Sequence, residues 1–95
     1  MNGWAWMKRY WLEISQEVRR QIDRVPNRLR PQIKQMIASL RDNPRPATAI
    51  ELRDRPGRYR MSLDDHRIYY RIDDDQLIVI LLKVGKKHGP EFYEE

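Results

Sequence analysis

The stretch Arg58-Tyr59-Arg60-Met61-Ser62-Leu63-Asp64-Asp65-His66-Arg67-Ile68-Tyr69-Tyr70-Arg71-Ile72 decides how this chain folds. Its period is two. Tyr59, Met61 and Leu63 alternate with Arg58, Arg60 and Ser62, and after Asp64-Asp65-His66 the residues Ile68, Tyr70 and Ile72 alternate with Arg67, Tyr69 and Arg71. Successive strand side chains point to opposite faces, so each half reads as a strand with one apolar face, joined by a turn at the aspartates. Keeping both apolar sets together places Ser62 opposite either Arg67 or Tyr69. Either register gathers Arg58, Arg60, Arg67, Tyr69 and Arg71 on the second face.

Downstream, Asp73-Asp74-Asp75 turns the chain again, and Leu77 to Val84 reads as a strand apolar on both sides, as expected inside a sheet. Gly85-Lys86-Lys87-His88-Gly89-Pro90 leaves that strand. Upstream, Pro56-Gly57 marks the turn into the hairpin, and Ala49-Ile50-Glu51-Leu52 reads as a short strand or a turn. Asn43-Pro44-Arg45-Pro46 ends a helix, because proline pushes its predecessor out of the helical region and has no N–H to donate. That helix carries an apolar stripe of Leu29, Ile33, Met36, Ile37 and Leu40, with Asn27 as its expected cap and Pro31 in its opening turns. A shorter helix precedes it, capped by Ser15 and carrying Val18, Ile22 and Val25 up to Pro26. Before that, Tyr10-Trp11-Leu12-Glu13-Ile14 suits a strand. The order β-α-α-β-β-β predicts an α+β fold, with two N-terminal helices packed on one face of a mostly antiparallel sheet.

The 95 residues suit one domain spanning 1–95. The longest apolar run, Leu77 to Leu82, is far shorter than the roughly 20 residues that span a bilayer, so a soluble, cytoplasmic protein without a membrane partner is expected. Cysteine is absent and there are two separated histidines, which excludes disulfide frameworks, thiolate zinc sites and cysteine nucleophiles. Neither a metal nor a cofactor is expected. The net charge is +5, and it is uneven: residues 1–60 carry fourteen basic and six acidic side chains, whereas residues 61–95 carry five basic and eight acidic. A polyanionic partner fits this balance.

A sheet face bearing guanidinium groups and a phenol suits a phosphodiester chain, because the arginine fork binds phosphate oxygens bidentately and aromatic rings stack on bases. Without cysteine or metal ligands, RNA cleavage would use the substrate's own 2′-hydroxyl as nucleophile. Arginine neutralises charge but does not accept a proton. His66, His88 and Lys87 are the groups of a type that exchanges one, and Lys86 adds charge beside them.

Four segments at these spacings resemble the RelE/ParE superfamily of small toxins from type II toxin-antitoxin pairs. They are Leu40 with Asn43-Pro44-Arg45-Pro46, Leu52 followed by Pro56-Gly57-Arg58-Tyr59-Arg60, the run Asp65 to Ile72, and Val84-Gly85-Lys86-Lys87 followed by Phe92-Tyr93. The RelE branch, which the resemblance favours, implies a metal-independent, ribosome-dependent mRNA endoribonuclease that inhibits translation. Carried over by position, Arg60, Arg67, Lys87 and Tyr93 match its catalytic set. Arg58, Ser62, Tyr69, Arg71, Lys86, His66 and His88 are candidate substrate-binding groups around it. Ser62 departs from the best-known RelE pattern, which has a lysine there.

The ParE branch implies inhibition of DNA gyrase instead. A third reading, of another class, is a module that binds an antitoxin or nucleic acid without chemistry. The resemblance also implies a cognate antitoxin, acidic where it meets the arginines, and a toxin-antitoxin complex that binds operator DNA through the antitoxin.

Overall fold

The computed structural model describes residues 9–88. Seven elements follow in the order β1 (Trp11–Glu13), α1 (Gln16–Asp23), α2 (Arg30–Ser39), β2 (Ile50–Glu51), β3 (Arg58–Leu63), β4 (His66–Asp73) and β5 (Ile78–Lys86). The strands form one sheet in the order β1-β5-β4-β3-β2, in which β1 runs parallel to β5 and every other pair is antiparallel. This is the expected α+β architecture. The undecided segment around Ile50 is a two-residue edge strand paired with Tyr59 and Arg60.

Local chemistry accounts for the boundaries. Ser15, in extended conformation, accepts a hydrogen bond on its Oγ from the Val18 N–H at 3.2 Å and so caps α1. At the other end, the Arg30 guanidinium donates to the carbonyls of Asp23 and Val25, satisfying groups that the end of α1 leaves open. The expected Asn27 cap of the second helix is corrected: α2 starts after a turn in which the Pro26 carbonyl accepts from both Leu29 and Arg30, and its N-cap, Leu29, makes no side-chain cap. Pro31 sits in the first turn of α2, where its missing N–H has no partner to lose.

Val18 and Ile22 of α1, with Ile33 and Ile37 of α2, bury themselves against Met61, Ile68, Tyr70, Ile72, Val79, Leu81 and Val84. The hairpin takes the first of its two candidate registers, with Ser62 opposite Arg67, Arg60 opposite Tyr69 and Arg58 opposite Arg71. Its turn places Asp64 at φ 55, a left-handed conformation that aspartate tolerates better than most residues. Gly57, at φ 87, makes the preceding turn for the same reason.

One irregularity matters for the site. In β5 the register shifts between the partners of Tyr69 and Tyr70: Lys83 pairs with Tyr69 and Leu81 with Tyr70, so Leu82 is an extra residue, a β-bulge. Before it Val79 and Leu81 face the helices; after it Val84 does. Beside the bulge the buried Val84 N–H donates to Oε1 of the buried Gln21 of α1 at 2.9 Å.

The far end of the sheet is tied to the segment after α2. The buried Tyr70 hydroxyl donates to the Pro44 carbonyl at 2.8 Å, and its ring stacks on Tyr59 with centroids 5.6 Å apart. Arg45 donates from Nε to the Tyr59 hydroxyl and bidentately to Asp74, which also accepts from the Tyr10 hydroxyl at 2.8 Å. The carboxylate of Asp74, and then Tyr59, hold the Arg45 guanidinium protonated beyond its ordinary range.

Candidate nucleic-acid interface

The face of the sheet opposite the helices is built in rows. The first is Ser62, Arg67 and Gly85; the second Arg60, Tyr69 and Lys83; the third Arg58, Arg71 and Ile80. Neighbouring strands lie about 4.8 Å apart and residues two apart in a strand are separated by about 6.8 Å. Arg60 and Arg67 are therefore diagonal neighbours, close enough for two long side chains to meet one phosphate. Arg58 and Arg71 are directly opposed like charges, an arrangement that costs stability unless an anion lies between or near them.

Arg67 is the best-positioned member. Its Nη1 donates to the carbonyls of Asp64 and His66 at 3.1 Å each, which holds the guanidinium at the hairpin tip. The Nε groups of Arg60 and Arg67 are shielded from solvent and lack a hydrogen-bond partner, as are those of Arg30 and Arg41 elsewhere. Ser62 is exposed directly beside Arg67.

Beyond β5 the chain stays at this corner, because the Lys87 N–H donates to the Asp65 carbonyl at 2.7 Å. Lys87 itself lies in the turn just past β5, two residues after Gly85, the partner of Arg67, and it is exposed. The fold thus brings Arg60 and Arg67 together on the open face and fixes the Lys87 backbone at the hairpin tip next to them. Tyr93 lies outside the described residues.

Two candidates stand elsewhere. His66, expected among the binding groups, pairs with Leu63 and shares its parity with Ile68 and Tyr70, so it faces the helices and is only 3% exposed. Its Nδ1 lies 3.0 Å from Oδ1 of Asp65. Lys86 pairs with His66 and so has that parity rather than the parity of the arginines. It helps to set the Asp65 carboxyl instead: desolvation pushes that group up, but a backbone N–H, His66 and Lys86 together hold it below the usual carboxylate range. His88 is exposed in the turn after β5. The pattern contained the signal for His66, since it falls in step with the apolar set of its own strand.

Lys83 was missed. The bulge at Leu82 turns it onto the open face beside Tyr69, where a regular strand would have had an apolar neighbour. A single lysine inside a run of aliphatic residues was the available signal. With Leu52, Arg55, Arg58, Tyr69 and Leu82 it lines a depression of about 190 Å³. Among the described residues there is no group of three or more His, Asp or Glu side chains that could hold a metal ion, and no helix is long and apolar enough to cross a membrane.

A model of the family described as the ParE toxin of type II toxin-antitoxin systems, parDE, matches residues 8–88. The chain belongs to this family. Its curated relatives carry the RelE name: the mRNA interferase toxin RelE of Escherichia coli (strain K12) is 26% identical over 88 residues, covering 90% of this chain and 92% of that protein. The mRNA interferase RelE of Shigella flexneri matches to the same extent. Among solved structures, a double arginine-to-alanine variant of E. coli RelE in the free state superposes with a TM-score of 0.74 at 25% identity, covering 92% of this chain and 93% of that one. The toxin-antitoxin complex RelBE2 of Mycobacterium tuberculosis gives a TM-score of 0.70 at 25% identity, over 84% of this chain and 93% of the matched chain. This toxin family therefore includes the chain within the RelE/ParE superfamily, and on its RelE-like side.

Proposed function

We propose that this toxin is an mRNA interferase, one domain over residues 1–95 that cuts mRNA in the ribosomal A site in the cytoplasm and is restrained by a cognate antitoxin. The observation that carries the reading is the helix-free sheet face on which Arg60, Arg67 and Ser62 are neighbours, with the backbone of Lys87 tied to the hairpin tip beside them. The names of the relatives and the complexes in which RelE toxins have been solved support it.

In this mechanism the substrate's 2′-oxygen attacks the adjacent phosphorus and the bond to the 5′-oxygen breaks, leaving a 2′,3′-cyclic phosphate and a free 5′-hydroxyl. Arg67 and Arg60 bind the non-bridging oxygens and neutralise the charge that builds in the pentacoordinate state. The Lys87 ammonium delivers a proton to the leaving oxygen. The 2′-hydroxyl proton passes to water, with the Ser62 hydroxyl accepting its hydrogen bond beside Arg67. Tyr93 orients or stacks on the substrate, and Arg58, Tyr69 and Arg71 hold the flanking strand. The antitoxin covers this face with an acidic segment, and the pair binds operator DNA through the antitoxin.

A purified translation reaction on a defined mRNA, with cuts mapped by primer extension, tests the reading. Ribosome-dependent cuts in the A-site codon are expected. In Arg67→Ala they should fall by about 10² to 10³, the usual cost of one preorganised charge-stabilising donor. Lys87→Ala should weaken them too, with antitoxin binding retained as the control for folding. Absence of cuts from folded wild-type toxin overturns the proposal. If the same protein then blocks gyrase supercoiling, the second reading, favoured by the ParE name of the family model, takes its place.

A further inference from the structure

The depression lined by Leu52, Arg55, Arg58, Tyr69, Leu82 and Lys83 lies one row and more away from the Ser62–Arg67 corner, on the same face. It combines two chemistries. Tyr69, Leu52 and Leu82 offer ring and aliphatic surface, while Arg55, Arg58 and Lys83 supply three cations, and none of the lining residues is acidic. Its volume of about 190 Å³ suits a small planar ring, since an engineered cavity of about 150 Å³ accepts benzene. Tyr69 follows Arg67 by two residues on one strand, a step of about 6.8 Å, comparable with the distance between successive phosphates of an extended single strand. The bulge at Leu82 creates the site, because it delivers both Leu82 and Lys83 to it.

We propose that this depression is a nucleotide subsite for single-stranded RNA, in which Tyr69 stacks on the base next to the cleaved linkage and Arg55, Arg58 and Lys83 hold that nucleotide's phosphate. The assignment rests on the ribonuclease reading and extends it: the corner cuts, and the depression sets which neighbouring nucleotide is tolerated. Stacking accepts any base but favours those with the larger ring faces, so the subsite biases cut positions without reading hydrogen-bond edges.

Two measurements on antitoxin-free toxin test it. In the translation reaction, Lys83→Met and Tyr69→Leu should raise KM about tenfold and redistribute cuts among A-site codons, whereas Lys83→Arg and Tyr69→Phe should restore the wild-type pattern. By fluorescence anisotropy on a short single-stranded RNA, Lys83→Met should weaken binding and reduce the slope of log affinity against log salt by about 0.7, the share of one phosphate contact on a single strand. Unchanged cut distribution in folded variants overturns the subsite while leaving the ribonuclease reading in place. If the wild type makes no cuts, that reading falls first, and the anisotropy arm decides the subsite. RNA affinity and salt slope equal to wild type, or a loss confined to antitoxin binding, overturn it.

Discussion

Tyr70 shows how much one side chain carries here. It is fully buried, it donates to Pro44 across 26 residues of sequence, and it stacks on Tyr59. Burial, and then the neighbouring Tyr59, push its phenol above the ordinary value of about 10. Burial, followed by Asp74, raises Tyr10 as well. A raised folded-state value means the unfolded chain ionises first, so this stability is complete below about pH 10 and is lost as pH rises beyond it. Urea midpoints should therefore fall steeply above about pH 10. Tyr70→Phe should lower the neutral-pH stability by about 1–2 kcal/mol, through the unpaired Pro44 carbonyl, and flatten that alkaline loss. An unchanged alkaline slope in the variant would show that Tyr70 does not carry it.

Among the elements, β5 is where the functional face is decided. Its bulge needs a partner for the Val84 N–H, and α1 supplies one through Gln21. Replacing Gln21 by leucine keeps the volume and removes the acceptor, so a buried donor is left unpaired at a cost of about 1–3 kcal/mol by chemical denaturation. Hydrogen exchange at Val84 should speed up more than at the β3–β4 ladder. If it does not, the bulge is held by the sheet alone. Sequence period predicted β3 and β4 because alternation is local and each has one buried face. It predicted β5 as apolar throughout and so lost Lys83, because a bulge resets the alternation without leaving a turn signal.

Across the whole molecule, residues far apart in sequence close the sheet's end opposite the hairpin tip: Arg45 bridges Tyr59 of β3 to Asp74 after β4, and Asp74 reaches Tyr10 before β1. Arg45→Ala removes the bonds to Tyr59 and Asp74 together and leaves that between Tyr10 and Asp74. Because Arg45 and Asp74 are about half exposed, the loss should be modest, about 1 kcal/mol, and smaller at high salt. RNA cleavage should stay close to wild type, since the network lies away from Arg60, Arg67 and Lys87. A large fall in cutting at unchanged stability would show that the two ends of the sheet communicate.

The sequence by itself determined the two helices, the hairpin and the arginine face, because helical and strand periods are local and a charged side chain stays out of a core. It also carried the superfamily resemblance that the family model bears out. Only the tertiary structure chose Ser62 opposite Arg67 over Ser62 opposite Tyr69, since both registers bury the same apolar set and only the turn geometry separates them. Tertiary structure also set β1 parallel beside β5, turned Lys83 to the open face, and started α2 at Arg30 without an Asn27 cap. Each of those outcomes depends on a partner distant in sequence or on a backbone hydrogen bond that no local pattern encodes.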